Sequence, residues 1–441
     1  MEAERGDRQD APEPLKLRVL GVYSGKSLDT VDCALVEYNQ DSPDTSLHLE
    51  VLQYGTVAIP SQIRATMLNV VHESRTLSSA GTQFMIQLGH VHSAATRSFC
   101  QKHDISLTSI DLIGSHSQAA ELVEVPLEPG ELPSRFGLGE GIVMASQTAI
   151  TTITDFSIRV QSQSAGPQSD PLASRLDDLL LRNEAISRVC LNIGTMADIT
   201  FIPPYTEDGD YEDFFWNRGL GTSVIDAAMR NLTRGQTQHD VNGVFGAQGT
   251  VNDAIVEQNL RKYQNSKFED SHANANSTGD EEARDLIDQC MLLTMPDHDT
   301  IATITRIVAQ IIVDQYKSFL KECVSSRPAT HEIVLCGRGS QNPNIIAHLR
   351  TEIEVKPFVM LDSVGVPAGA KDAVSYAQLG LESMLGLEAH SSAAEHSIRE
   401  NRIRGKVAPG PRWRYTMEHI AKFGQGKPLP TIDTLTVDAR F

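Results

Sequence analysis

Cysteine is sparse in this chain and carries no pattern. The six cysteines, at 33, 100, 190, 290, 323 and 336, show no Cys-x-x-Cys spacing. That excludes a zinc ribbon and a disulfide-stapled scaffold, and it fits a reducing compartment. No run approaches the ~18 apolar residues of a membrane span. The opening MEAERGDRQDAPEPLK is charged without an apolar centre, unlike a secretory signal, so the expected location is cytoplasmic, with no membrane partner. Basic charge is also in deficit: the net charge is −19 and the pI near 5.1, which argues against nucleic-acid partners. A nucleotide needs only a local cluster of N–H groups and stays compatible with this charge.

What is present is a soluble composition, 40% hydrophobic and 22% charged, over 441 residues. That length exceeds one compact core, and two domains are expected. Residues 1–14 read as a disordered tail. Leu17–Tyr38 reads as two strands around Ser24-Gly25-Lys26-Ser27, a turn whose N–H groups suit a bound anion or simply close a hairpin. Gly25-Lys26-Ser27 imitates the end of a P-loop, but position 20 is Leu and a β-branched run follows where a helix is required. Further strand-to-glycine junctions occur at Gly194-Thr195 and at Gly337-Arg338-Gly339-Ser340, with Gly219 and Gly221 ahead of a helix that begins near Ser223. Apolar strands running into glycine turns in both halves predict a mixed α/β chain of two related halves with a cleft between them.

Phosphoryl transfer requires groups that hold phosphate and a metal, and a group that takes a proton. The glycine turns are the candidate phosphate holders. Asp29 and Asp32 follow the first hairpin, where they can hold Mg²⁺ through water; Asp29 alternatively caps the turn. His116, at the end of a short strand, either donates to a substrate or is an ordinary loop histidine. No Gly-x-Ser-x-Gly elbow supports Ser/His/Asp hydrolysis.

Together these motifs resemble the 1,6-anhydro-N-acetylmuramic acid kinases of the sugar-kinase/heat-shock-protein/actin superfold, from about Val19 to Leu387. The family's GxMSGTSLDGxD is similar to Gly21–Asp32, its GCHGQT to Gly114–Ala119, and its LNIGGIAN to Leu191–Asp198. KSTGRE is echoed by Asn276–Glu281, ATLTELTA by Ala302–Ala309, CGGGSRNP by Cys336–Pro343, and GxxGxxxEAxxFA by Gly365–Ala377. The resemblance implies a two-domain actin-like ATPase (ribonuclease H-like) α/β fold with a cleft between the domains. The expected spans are 15–147 and 148–387, with 388–441 packing on the first domain.

The resemblance also implies ATP and Mg²⁺ as cofactors, a small-molecule sugar substrate and a homodimer. Ser24, Gly25, Lys26, Ser27, Gly194, Thr195, Gly219, Gly221, Gly337, Arg338, Gly339 and Ser340 would bind nucleotide, and Asp29 the metal. His116, Gln118, Asp155, Arg159 and Gln168 would meet the sugar. The sequence departs from the family at several of these positions. Lys26 replaces a threonine and Arg338 a glycine, which places it in the adenosine site or strains the backbone. The family's DTGPGN, whose aspartate activates the ring-opening water, aligns with Asn217–Thr222. An amide takes no proton near neutral pH, so Asn217 at the base position costs about 10²–10⁴ in rate. Two expectations follow: an ATP-dependent phosphotransferase acting on an anhydro-amino sugar or related small hydroxylated molecule, or a nucleotide-binding relative without catalysis, reused in a specialised pathway.

Overall fold

The computed structural model describes residues 13–25, 27–73, 79–123, 134–138, 140–156, 172–204, 214–266, 280–321, 329–355, 357–387 and 403–438. The alternating run after Pro14 becomes β1 (Leu15–Tyr23), which pairs antiparallel with β2 (Thr30–Gln40), itself antiparallel to β3 (Leu47–Ala58). Extended chain, not a helix, follows the Ser24–Ser27 turn, as the β-branched run requires. Helices α1 (Ser61–Glu73) and α2 (Ser79–Lys102) lead to β4 (Leu112–Ser115), parallel to β1. A separate ribbon of β5 (Gln118–Val123) and β6 (Ser134–Leu138) follows, then α3 (Gly141–Thr148) and β7 (Thr151–Thr154), parallel to β4. After β7 comes α4 (Leu172–Leu181).

The second half repeats this order. The strands β8 (Arg188–Ile193), β9 (Met196–Ile202) and β10 (Phe214–Leu220) form an antiparallel meander. Then come α5 (Ser223–Leu232), α6 (Asp253–Ser266), α7 (Asp280–Leu292) and α8 (Asp297–Phe319). The strand β11 (Glu332–Cys336) lies parallel to β8; α9 (Pro343–Glu352) and β12 (Phe358–Met360), parallel to β11, complete the sheet before α10 (Lys371–Leu385). The strand orders β3-β2-β1-β4-β7 and β10-β9-β8-β11-β12 are the same, with the same parallel and antiparallel senses. The fold is therefore the duplicated, two-domain actin-like α/β architecture.

Each sheet is buried on both faces. One apolar cluster joins sheet one to α1–α3, a second joins sheet two to α5–α9, and a third lies between the sheets around α4 and α10. Glycines let α10 lie directly on sheet one. A Cβ at Gly21 would stand 1.7 Å from the Ala373 carbonyl oxygen, and one at Gly114 2.0 Å from that of Tyr376. Lys371, fully buried at the start of α10, is held by Asp177 of α4 at 2.8 Å. Burial alone would lower the Lys371 ammonium, but the Asp177 carboxylate beside it outweighs that and holds it well above its ordinary value.

Two sequence expectations need correction. The boundary at 147/148 falls early, because β7 is hydrogen-bonded into the first sheet. The boundary at 387 also divides a packed unit, since α10, last element of the second half, lies on sheet one. Asn217–Leu220 is the end of β10: its glycine and arginine hide the apolar pattern, and Gly219 serves packing, since a Cβ there would meet the Gln315 amide at 1.9 Å. Among the described residues after 402, β13 (Lys406–Ala408) and β14 (Leu435–Val437) add to the two edges of sheet one. Between them α11 (Trp413–Phe423) buries Ile420 and Phe423 in the central cluster. The 1–12 part of the expected tail lies outside the described residues.

Candidate active site

The cleft forms where the C-terminal ends of β1, β8 and β11 converge. Sheet one contributes the β1–β2 turn. Ser24 there is fully buried, with its Oγ 3.0 Å from His92 Nε2, while His92 Nδ1 lies 3.0 Å from Ser115 Oγ. Burial, and then His116 nearby, lower the His92 imidazole to about 3. It is therefore neutral and ties the turn to the end of β4 by one donated and one accepted hydrogen bond. Leu28, whose amide donates to the Gly25 carbonyl at 3.0 Å, takes a left-handed φ of +51° inside the same turn. A non-glycine residue holds that conformation only when its surroundings enforce it, and Leu28 is buried to 1%.

Sheet two contributes two turns. Gly194 and Thr195 join β8 to β9, and a Cβ at Gly25 would lie 3.0 Å from Thr195 Oγ1, so the two hairpins nearly touch. The amides of Gly194, Gly221 and Thr222 donate to Met196, Thr195 and Gly194 carbonyls at 3.0, 3.2 and 2.8 Å. Those amides close the turn internally. Gly337, at φ +78°, donates to the Ala368 carbonyl at 2.8 Å. The left-handed residue is Gly337, so Arg338 stands in an unstrained 3-10 turn with buried Gly339 and Ser340.

The charges of the cleft come from both halves. Asp29 Oδ1 lies 2.8 Å from Arg64 Nε of α1 and 2.9 Å from Arg230 Nη1 of α5. Neither Asp29 oxygen has a donor in hydrogen-bond alignment, so charge holds this trio together. The Asp29 oxygen expected to carry the metal thus faces two guanidinium groups. Arg338 donates to Asp226 Oδ2 at 3.2 Å, as does Thr222. Burial raises Asp226 to about 6, against the pull of Arg338 and Arg230 and with the push of Asp29. Burial likewise raises Asp32 to about 7, opposed by Arg338 and aided by Asp372. Asp226, Asp32 and Asp29 together outweigh the burial of Arg338 and hold its guanidinium above the ordinary value.

Tyr23, Gly25, Ser27, Thr195, Arg338 and Asp372 are among the groups that wall the central cavity, of about 30 Å³. Asp32 lines it with an Oδ1 that is buried and has no hydrogen-bond partner. Asp372 lines it too, accepting from Asn192 Nδ2 at 3.2 Å.

On the opposite side of Tyr23 stands the expected acceptor side. The rings of Tyr23 and His116 are 4.9 Å apart, His116 and Tyr376 5.0 Å, and Tyr376 and Phe156 5.9 Å. Asp155, at φ +60°, is buried; its amide donates to Ser117 Oγ at 2.9 Å, and Lys406 of β13 pairs with its carboxylate at 2.5 Å. His116 and Asp155 thus stand at the ends of neighbouring strands β4 and β7. Asn217 lies on β10 directly opposite Asp198 of β9, and Gln118 opens β5. Lys26, Arg159 and Gln168 lie outside the described residues.

Sequence reasoning missed His92, Arg64, Arg230, Asp226, Tyr376 and Asp372. None sits in a glycine turn, and their spacing along the chain carries no chemical pattern. Only Arg230 and Asp226, four residues apart on the helix after Gly221, could have been read as one face turned to the turn.

A family model described as anhydro-N-acetylmuramic acid kinase matches residues 17–407. The anhydro-N-acetylmuramic acid kinase of a Cyanothece species is 31% identical over 395 residues, covering 87% of this chain and 97% of that protein. Its namesake from Trichormus variabilis is 30% identical over 404 residues, covering 88% and 96%. Among solved structures, the activator of the 2-hydroxyisocaproyl-CoA dehydratase from Clostridium difficile with bound ADPNP aligns over 85% of this chain and 100% of that one, at 12% identity and a TM-score of 0.42. The family-model match over residues 17–407 and the relatives at 30–31% identity mean that the chain belongs to the anhydro-N-acetylmuramic acid kinase family.

Proposed function

We propose that the protein is an ATP-dependent kinase that opens and phosphorylates a 1,6-anhydro-amino sugar or a close hydroxylated relative. The observation that carries this reading is the convergence of the Ser24–Ser27, Gly194–Thr195 and Gly337–Ser340 turns on one cavity. The aromatic and polar group of Tyr23, His116, Tyr376 and Asp155 is its near neighbour on the sugar side. ATP is the phosphoryl donor in this reading. The unpartnered Asp32 oxygen and Asp372 are the groups that would hold Mg²⁺, which on binding neutralises charge between the donor's phosphates. Arg338, already drawn inward by Asp226 and Asp32, supplies fixed positive charge beside them.

In this reading the halves part to admit the nucleotide and close again over it. Arg230 of α5 on Asp29 of the β1–β2 turn is a charge pair across that boundary. Tyr23 and Tyr376 shield the acceptor side from water as the cleft closes.

Asn217 at the family's base position favours a second reading, a nucleotide-binding protein without turnover. ADP release separates the two. With ATP, magnesium and a panel of 1,6-anhydro-amino sugars, the first reading expects acceptor-dependent ADP release with formation of a phosphosugar. Stabilisation by ATP without any such release would leave the second reading standing.

A further inference from the structure

Three adjacent strands of sheet two carry a polar row. Residue 192 of β8 is the direct cross-strand partner of residue 198 of β9, and residue 198 is the partner of residue 217 of β10. Directly opposed positions on an antiparallel ladder share one face, with Cβ atoms about 4.5–5.5 Å apart. The face is identified by Asn192, whose Nδ2 donates to the cavity-lining Asp372 at 3.2 Å. Asp198 therefore presents its carboxylate to the cleft. Its charge also reaches Tyr23, where, after burial, Asp372 and Tyr376, it helps to raise the phenol. By backbone register, position 192 pairs with 198 and 198 with 217, and the family pattern set out above places its carboxylate at position 217 and an amide at 198.

We propose that Asp198 is the general base of this protein, its carboxylate transposed by one strand across the β9–β10 ladder. Other acids around the cleft are committed. Asp29 faces Arg64 and Arg230, Asp226 is held by Arg338 and Thr222, and Asp155 by Lys406. Asp32 and Asp372, the acids that line the cavity, are the groups that would hold Mg²⁺ in the reading above. The assignment rests on the kinase reading. Asp198 accepts a proton from a water as that oxygen bonds the anomeric carbon of the sugar. The bond from the anomeric carbon to O6 breaks with its electron pair left on O6, and O6 then bonds the γ-phosphorus of ATP. The bond from that phosphorus to the β–γ bridging oxygen breaks, its pair leaving with ADP, and the proton on Asp198 passes to solvent. A shift of one strand is tolerable in this chemistry because a base works within hydrogen-bond reach of a mobile water.

The test uses the full chain with ATP, magnesium and 1,6-anhydro-N-acetylmuramic acid, reading phosphosugar by mass spectrometry. D198N is expected to keep its melting temperature and its stabilisation by ATP, to lose about 10²–10⁴ in kcat, and to lose the acid-side limb of its pH profile. Adding N217D to D198N restores the family's order and is expected to recover at least about tenfold. D198S is read in the same way if D198N does not fold. Full activity of D198N, or a slow variant whose acid limb persists, overturns the assignment; a slow variant without that limb supports it whether or not N217D rescues. Full activity in both wild type and D198N defeats the assignment alone. A wild type that makes no phosphosugar defeats the kinase reading on this sugar and the assignment with it.

Discussion

Asp32 shows what a single buried carboxyl does to the balance of the cleft. Burial raises it from 3.8 to about 7, so the folded chain keeps a proton that the unfolded chain gives up near pH 4. Stability from this group therefore falls as pH climbs from about 4 to about 7 and is level above that. Asp32→Asn removes the slope. Relative to wild type, the variant is expected to gain about 1–3 kcal/mol at pH 8 and nothing at pH 4, read by urea unfolding without nucleotide. Arg338 is the counterpart. Asp226 is neutral below about pH 6, so Arg338→Met should cost little at pH 5. At pH 8 the guanidinium is needed and the loss should reach about 2–4 kcal/mol; equal losses at both pH values would disprove the pairing.

At the scale of elements, α10 decides how closely the halves approach. It lies on β1 and β4 because Gly21 and Gly114 have no side chain to keep it off. Gly21→Ala places a methyl within 1.7 Å of a helix carbonyl, and the helix must shift. The expected result is a loss of at least about 3 kcal/mol, measured by denaturant unfolding, with weaker ATP binding because Asp372 moves with the helix. The hairpin at Leu17–Tyr38 was readable from its alternation, as were the glycine turns that follow strands. The β10 strand was not, because Gly219 looks like a loop residue until Gln315 of α8 is seen against it. Nor could His92 be read as a site residue: it lies 68 positions from Ser24 on a helix face that predicts only packing.

Across the whole molecule, the chain's last segment belongs to its first sheet. Ile420, Phe423 and Ile432 enter the cluster between the sheets, and Lys406 pairs with Asp155. Removing everything after residue 402 exposes that cluster. At about 1.5–3 kcal/mol for each large apolar side chain, the loss is comparable with the whole stability of a domain. The truncated chain is expected to be insoluble or to melt many degrees lower in a thermal scan. A truncation that melts like the full chain would show that β13, α11 and β14 are accessory.

The sequence by itself determined what local chemistry encodes. Strand alternation and glycine turns named the α/β class and the duplication. The order of the motifs named the family, and the missing carboxylate at position 217 was visible without coordinates. The tertiary structure decided everything that depends on partners distant in the chain. It set Arg64 and Arg230 on Asp29, Asp226 beside Arg338, and α10 against the glycines of sheet one. It also aligned Asp198 with Asn217 across two strands. Charge and register act through space, and a linear pattern records which residues exist but not which of them face one another.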